Sequence, residues 1–201
     1  MPSDWNYVSL KDYAEVTPGY SYKGKELSPS HLAMATIKNF DRNGGFNARG
    51  FKEINPQKEI KVQKYANLYD VLVAHTDLTQ NAEIIGNAEP ILTCGNYDKI
   101  IFSMDLVKVT AKENKISKFL LALIMQGDIM KRHCLTYVNG TTVLHLNKKA
   151  LKDFEFPFPE NPQVISNIAN FAEENYKKIN SNLRENDLLI KIKSELLNKY
   201  F

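Results

Sequence analysis

The apolar positions of this chain change period along its length. Up to about residue 160 they fall in short runs broken by Gly, Pro, Asn and Asp, and beyond it they recur at helical spacing. The centre of the first region is residues 70–86, DVLVAHTDLTQNAEIIG. Asp70-Val71-Leu72-Val73-Ala74 is a short run rich in β-branched residues, the pattern of a strand buried on both faces. Ala82-Glu83-Ile84-Ile85-Gly86 predicts a returning strand closed by glycine. Between them, His75-Thr76-Asp77-Leu78-Thr79-Gln80-Asn81 has six polar residues out of seven. Its Thr, Asp and Asn side chains can satisfy the loop's own backbone. Its Gln and Asn amides can equally face outward, and such amides pair two-pronged with adenine. Both uses stay open.

Elsewhere before residue 160 the pattern predicts further short strands. Residues 5–13 (WNYVSLKDY) read as a strand or short helix, and residues 17–25 as a loop by their Pro and Gly content. Residues 31–39 (HLAMATIKN) read as a strand, followed by a turn at Asn43-Gly44-Gly45, where glycine supplies positive φ cheaply. Residues 58–65 (KEIKVQKY) alternate polar and apolar positions, which predicts a half-buried strand. Pro90-Ile91-Leu92, Ile100-Ile101-Phe102 and residues 103–109 add strands. Residues 117–130 predict one helix, capped by Ser117 and buried along Phe119, Leu120, Leu123, Ile124 and Ile129. A turn and strand over 138–146, one helical turn over 147–153 and a proline-stiffened extended exit over 154–159 complete the region.

From Pro162 onward, Ile165, Ala169, Ala172, Tyr176, Ile179, Leu183, Asn186, Ile190, Lys193 and Leu197 keep alternating four-and-three spacing. That argues for a single helix of roughly 36–39 residues, about 55 Å long at 1.5 Å per residue. Such a helix outruns a small domain, so its stripe calls for a partner. The predicted organisation is a globular unit over 1–159 and a helix over 160–201. Removing everything after Phe158 is expected to leave a monomeric head.

Composition narrows the class. The 201 residues suffice for one ordinary core, and no apolar run reaches membrane-spanning length, which fits a cytoplasmic protein. Cys94, Cys134, His31, His75, His133 and His145 show no paired-ligand spacing, so no metal site is expected. The net charge is only +3, but it is segregated. Residues 20–65 hold nine Lys/Arg against four Asp/Glu, residues 66–107 one against six, and residues 108–152 nine against two. Two basic segments flanking an acidic one suit a polyphosphate partner, or simply a solvated face. After Phe158 the count is six against six, a balance suited to protein contacts.

Signatures of catalysis are missing. Asn55-Pro56-Gln57 and Asn161-Pro162-Gln163 are not the Asp/Asn-Pro-Pro-Tyr of an amino-methyltransferase. No glycine-rich strand–turn–helix for S-adenosylmethionine and no P-loop for ATP is present. Asp41 with Glu59-Ile60-Lys61 only loosely matches a nuclease triad.

Four segments carry a resemblance: DVLVAHTDLTQ (70–80), IFSMDLVKV (101–109), GTTVLHLNKKALKDFEFPFP (140–159) and NLRENDLLIKIKSELL (182–197). In this order they resemble specificity subunits of type I restriction–modification systems. The resemblance implies an α/β (α+β) target recognition domain with a mixed or antiparallel sheet, then a long C-terminal helix pairing as an antiparallel coiled coil. It implies a non-catalytic DNA-recognition role, with no cofactor in this chain. S-adenosylmethionine, ATP and Mg would sit on partner modification and restriction subunits. A full subunit of that family carries two recognition domains and two helices; this chain has one of each. A homodimer, or pairing with a second specificity chain, is therefore expected, and a homodimer would read a split palindrome. Candidate DNA contacts are Tyr20, Tyr22, Lys23, Lys25, Arg42, Asn43, Arg49, Thr76, Thr79, Gln80, Asn81, Lys131, Arg132, Tyr137, Asn139 and Thr141. Candidate helix contacts are Ile165, Ala172, Tyr176, Ile179, Leu183, Asn186, Ile190 and Leu197. A protein–protein adaptor and a stand-alone DNA-modifying enzyme are the rival classes.

Overall fold

Val71, Leu72, Val73 and Ala74 form the middle strand of the molecule, and all four are buried. The computed structural model describes residues 4–200. In chain order the elements are β1 (Trp5–Ser9), α1 (Leu10–Tyr13), β2 (Ala14–Pro18), β3 (Leu32–Ala35), β4 (Lys52–Glu53), β5 (Tyr65–Ala66) and β6 (Val71–Ala74). There follow β7 (Thr76–Asp77), β8 (Ala88–Pro90), β9 (Lys99–Phe102), β10 (Leu106–Ala111), α2 (Lys118–Met125) and α3 (Asp128–Leu135). Last come β11 (Val138–Asn139), β12 (Leu144–Leu146), α4 (Lys149–Lys152), β13 (Glu155–Pro159) and α5 (Pro162–Tyr200).

Strand alternation sets the layers. Strands β2, β10, β6 and β8 form an antiparallel sheet in that order, and β4, β3, β9 and β5 form a mixed sheet in which β3 and β9 run parallel. Val71 and Val73 point to the core under α2 and α5, while Leu72 and Ala74 point to the second sheet, where they meet Ala33, Ala35, Ile100 and Phe102. On the far face of that sheet, Met34 and Ile101 pack with Tyr20 and Ile54. The chain is thus α+β with both faces of its central strand covered. Burying side chains of the Val and Leu size contributes about 1.5–3 kcal/mol each, which is why so short a strand can hold the centre.

Three predicted elements fold otherwise. Residues 82–86 are not a strand: their backbone groups bond to side chains of Asp77 and Lys131, and the strand that returns along β6 is β8. Residues 58–65 do not run as a strand; Val62 is 86% exposed in a 3-10 turn, and only Tyr65 and Ala66 pair with β9. Lys64 Nζ anchors that turn by donating to the carbonyls of Pro18 and Gly19. The helix predicted over 117–130 is two helices parted at Gln126 and Gly127. Ser117 caps the first as expected, accepting from Leu120 N at 3.1 Å. Because α2 packs against both the sheet and α5, its buried face is broad and takes in Leu121, Ala122 and Met125. Leu123 lies on the outer side of α2, and the restart at Asp128 resets the helical phase so that Ile129 also faces solvent.

The long helix spans Pro162–Tyr200, as its spacing predicts. Its stripe, however, divides. Ala172 and Tyr176 are buried in the main core, and Ile165, Ile168, Ala169 and Leu183 pack against it. Tyr176 stacks on Phe119 with ring centroids 6.4 Å apart and donates its hydroxyl to Gln126, and Asn180 donates to Leu92 O at 2.6 Å. Ile165, Ala172, Tyr176 and Leu183 are therefore spent within the chain rather than free to pair with another helix. Packing into the core ends at Leu183, and every residue from Arg184 to Tyr200 is exposed. Even so, α5 still runs beside the head there: Lys191 donates to Asn96 Oδ1 at 2.9 Å, and Asp187 and Ile190 face Arg49 across a cleft. The strand β13 that leads into it is clamped antiparallel to β1, from Trp5 opposite Pro159 to Ser9 opposite Glu155.

Candidate nucleic-acid interface

The loop 77–86 owes its shape to side chains. Asp77 is buried, and its carboxylate accepts from Thr79 N at 2.9 Å, Thr79 Oγ1 at 2.8 Å, Ile84 N at 2.7 Å and Ile85 N at 3.2 Å. Lys131 Nζ reaches across from α3 and donates to the carbonyls of Ala82 at 2.8 Å, Glu83 at 3.0 Å and Ile85 at 2.7 Å. Acceptor and donor thus replace the strand ladder the sequence suggested. Gly86 closes the loop with φ of +77°, and a Cβ there would meet Cys134 Cβ at 2.5 Å, so glycine is required twice over. Burial on its own would raise the Asp77 carboxyl, but the hydrogen bonds from Ile84, Thr79 and Ile85 outweigh it and hold the group below its usual range. A depressed carboxylate stabilises the fold above its unfolded value, and that contribution is lost only as pH falls through the folded value. Burial lowers the Lys131 ammonium, partly opposed by Asp77 and the Cys134 thiol.

Several candidate contacts converge on this loop. Gln80 Nε2 donates to the carbonyls of Thr141 and Thr142, tying the loop to the turn between β11 and β12. Arg42 pairs with Glu83 at 3.5 Å and brings the exposed turn of Asn43 and Gly44 alongside. Thr76 pairs with His145 in a small sheet of β11, β12 and β7, and its hydroxyl bonds to Asp105 Oδ1 at 3.1 Å. The turn at Ser103 lies in turn against Gly19 and Tyr20, whose N–H donates to Phe102 O at 2.7 Å. Exposed on or beside this connected surface are Lys23, Lys25, Arg42, Asn43, Leu78, Asn81, Asn139 and Thr141.

Other candidates hold structural positions. Tyr20 is buried and donates to Glu26 Oε1 at 2.8 Å; burial first, then Glu26, pushes its hydroxyl up to about 12. Tyr22 and Tyr137 are half-buried, the latter donating to Asp153 Oδ2 at 3.0 Å. The hydroxyls of Thr76 and Thr79 and the amide of Gln80 are engaged within the protein, as is Lys131. Arg132 is exposed on α3. Arg49 stands apart, lining a cleft of about 610 Å³ with Phe46, Leu183, Asp187 and Ile190 of the long helix. Asp77 escaped the candidate set although Asp-Leu-Thr is the sequence of an Asx turn, a signal for a self-bonded loop. Among the described residues, no group of His, Cys, Asp and Glu could hold a metal ion, and no helix is long and apolar enough to cross a membrane.

A family model, the type I restriction modification DNA specificity domain, matches residues 2–194. The chain belongs to that family. This specificity domain is a recognition module, not a catalytic one. Solved structures share its fold. A type I restriction–modification S subunit from M. genitalium superposes with a TM-score of 0.64 at 13% identity, over 98% of this chain and 44% of that one. The HsdS subunit from Thermoanaerobacter tengcongensis gives 0.53 at 12% identity, over 93% and 40%. A structure concerned with complex assembly and conformational transition of the type I R-M system gives 0.56 at 14% identity, over 98% and 44%. The chain therefore spans less than half the length of the solved chains it matches. No curated protein matches it in sequence.

Proposed function

We propose that this specificity domain reads one half of a split DNA target and does so as a two-fold homodimer. In that assembly it directs partner modification subunits, and through them restriction subunits, to the site. The observation that carries the reading is the surface around loop 77–86, on or beside which the amides of Asn43 and Asn81, the Thr141 hydroxyl and the Lys23, Lys25 and Arg42 cations are exposed on separate loops. Cations on such a surface neutralise phosphates and set register, while amide and apolar tips read base edges. Transfer of the methyl group and cleavage belong to the partners, which would hold S-adenosylmethionine, ATP and Mg.

The dimer rests on a second feature. Leu188, Ile192, Leu196 and Leu197 are about half exposed on the last turns of α5, and Leu189 and Ile190, also about half exposed, border the cleft between that helix and the head. An antiparallel, two-fold pairing of two such ends covers them without leaving an open edge. Two identical heads then meet one sequence and its reverse complement. Methylome sequencing of cells that carry the chain with a modification subunit should reveal one split motif with palindromic halves. Unlike halves would contradict the homodimer and assign the second head to another specificity polypeptide.

A further inference from the structure

The amide that the sequence marks most plainly for base reading is already occupied. Gln80 donates both its contacts to backbone carbonyls of the neighbouring turn. On either side of it stand two residues with nothing to hold: Leu78, 69% exposed at the loop's outer edge, and Asn81, exposed with no hydrogen bond from its side chain to the described residues. An exposed leucine on a loop this tightly held gains nothing for the fold. We infer that Leu78 and Asn81 are the base-reading residues of this loop, directed at an A·T-containing step, and that Asp77 and Lys131 are the positioning residues that hold them. The inference rests on the DNA-reading role proposed above.

Chemistry selects the bases. In the major groove an asparagine amide matches the N6 donor and N7 acceptor of adenine, and an apolar side chain packs on the thymine methyl. Geometry supplies the precision. Asp77 gathers the N–H groups of Thr79, Ile84 and Ile85, and Lys131 gathers three carbonyls, so both ends of the short segment 78–83 are fixed. Ala82 holds a φ of +52°, a conformation an L-residue adopts only when its surroundings impose it. A loop fixed in advance loses little freedom on binding, which favours discrimination.

Selection of binding sites from random duplex DNA, with the full chain and single variants, tests the assignment. Asn81→Ala should lose preference at one adenine position by about 5- to 150-fold, the range of a single bidentate contact. Leu78→Ala should lose the distinction between thymine and uracil at one position. Lys131→Met should blur the adjacent positions together while leaving the salt slope of non-specific binding unchanged. A lysine that touched phosphate would instead lower that slope by about 0.9. Hydrogen exchange should rise in 78–86 of that variant and not in β6. Both exposed positions leave the core untouched, so they decide the matter even if Lys131→Met fails to fold. Motifs unchanged in Leu78→Ala and Asn81→Ala, or a single adenine preference lost in Gln80→Ala but kept in Asn81→Ala, would overturn the inference. A wild-type chain that enriches no motif overturns the DNA reading itself, and this inference with it.

Discussion

A fragment ending at Phe158 will not fold as an independent head. The first half of α5 supplies Ile165, Ile168, Ala169, Ala172, Tyr176 and Leu183 to the main core. Truncating one buried aromatic to alanine costs about 3–5 kcal/mol, and whole domains are stable by only about 5–15 kcal/mol. Losing all six together removes a margin of that order. It also strands Gln126, which accepts from Tyr176 and donates to Glu89 Oε2 at 2.8 Å. A fragment ending at Arg184 keeps these contacts and loses the exposed end of the helix, with the surface bond from Lys191 to Asn96. Thermal unfolding by circular dichroism should show a cooperative transition for the longer fragment and none for the shorter. Equal, cooperative melting of both would mean that the helix is dispensable to the head.

The double substitution Ile190→Asp with Leu197→Asp is expected to convert the proposed homodimer to a monomer without unfolding the head. Both side chains are about half exposed, at 52% and 47%, so the charges meet water in the monomer and each other in the paired state. Joining two heads makes the second half-site contact intramolecular, which raises overall affinity by about 10²–10⁴-fold. Specific binding should fall by that factor, with the melting temperature kept. Light scattering that still shows a dimer would place the contact elsewhere on the molecule.

What the sequence revealed followed the strength of its patterns. The long helix and the central strand were legible because one carries sustained periodicity and the other an unbroken β-branched run. The division of the helix was not, since the same stripe serves first the head and then the free end. Only the position of α2 decides where one use ends. Residues 82–86 looked like a strand because Ile84 and Ile85 are good strand formers, yet Asp77 and Lys131, the latter some 46–49 positions away, capture their backbone groups. Alternation over 58–65 failed for a similar reason, the anchoring of Lys64 on the carbonyls of Pro18 and Gly19. Among the candidate DNA contacts, Tyr20, Thr76, Thr79, Gln80 and Lys131 turn their polar groups to partners within the protein. Residue type names the groups able to reach a base, but the packing of distant elements selects which of them stay free.

Affinity of the purified full chain for its enriched duplex and for a scrambled duplex, each followed across salt concentration, bears most directly on sequence recognition. The account predicts that the enriched duplex binds at least about 10³-fold more tightly and that both affinities fall linearly with the logarithm of salt. Lys23→Ala with Lys25→Ala, both exposed beside the reading surface, should flatten both slopes alike while leaving the ratio between duplexes intact. Equal affinity for the two duplexes across the whole salt range would contradict it.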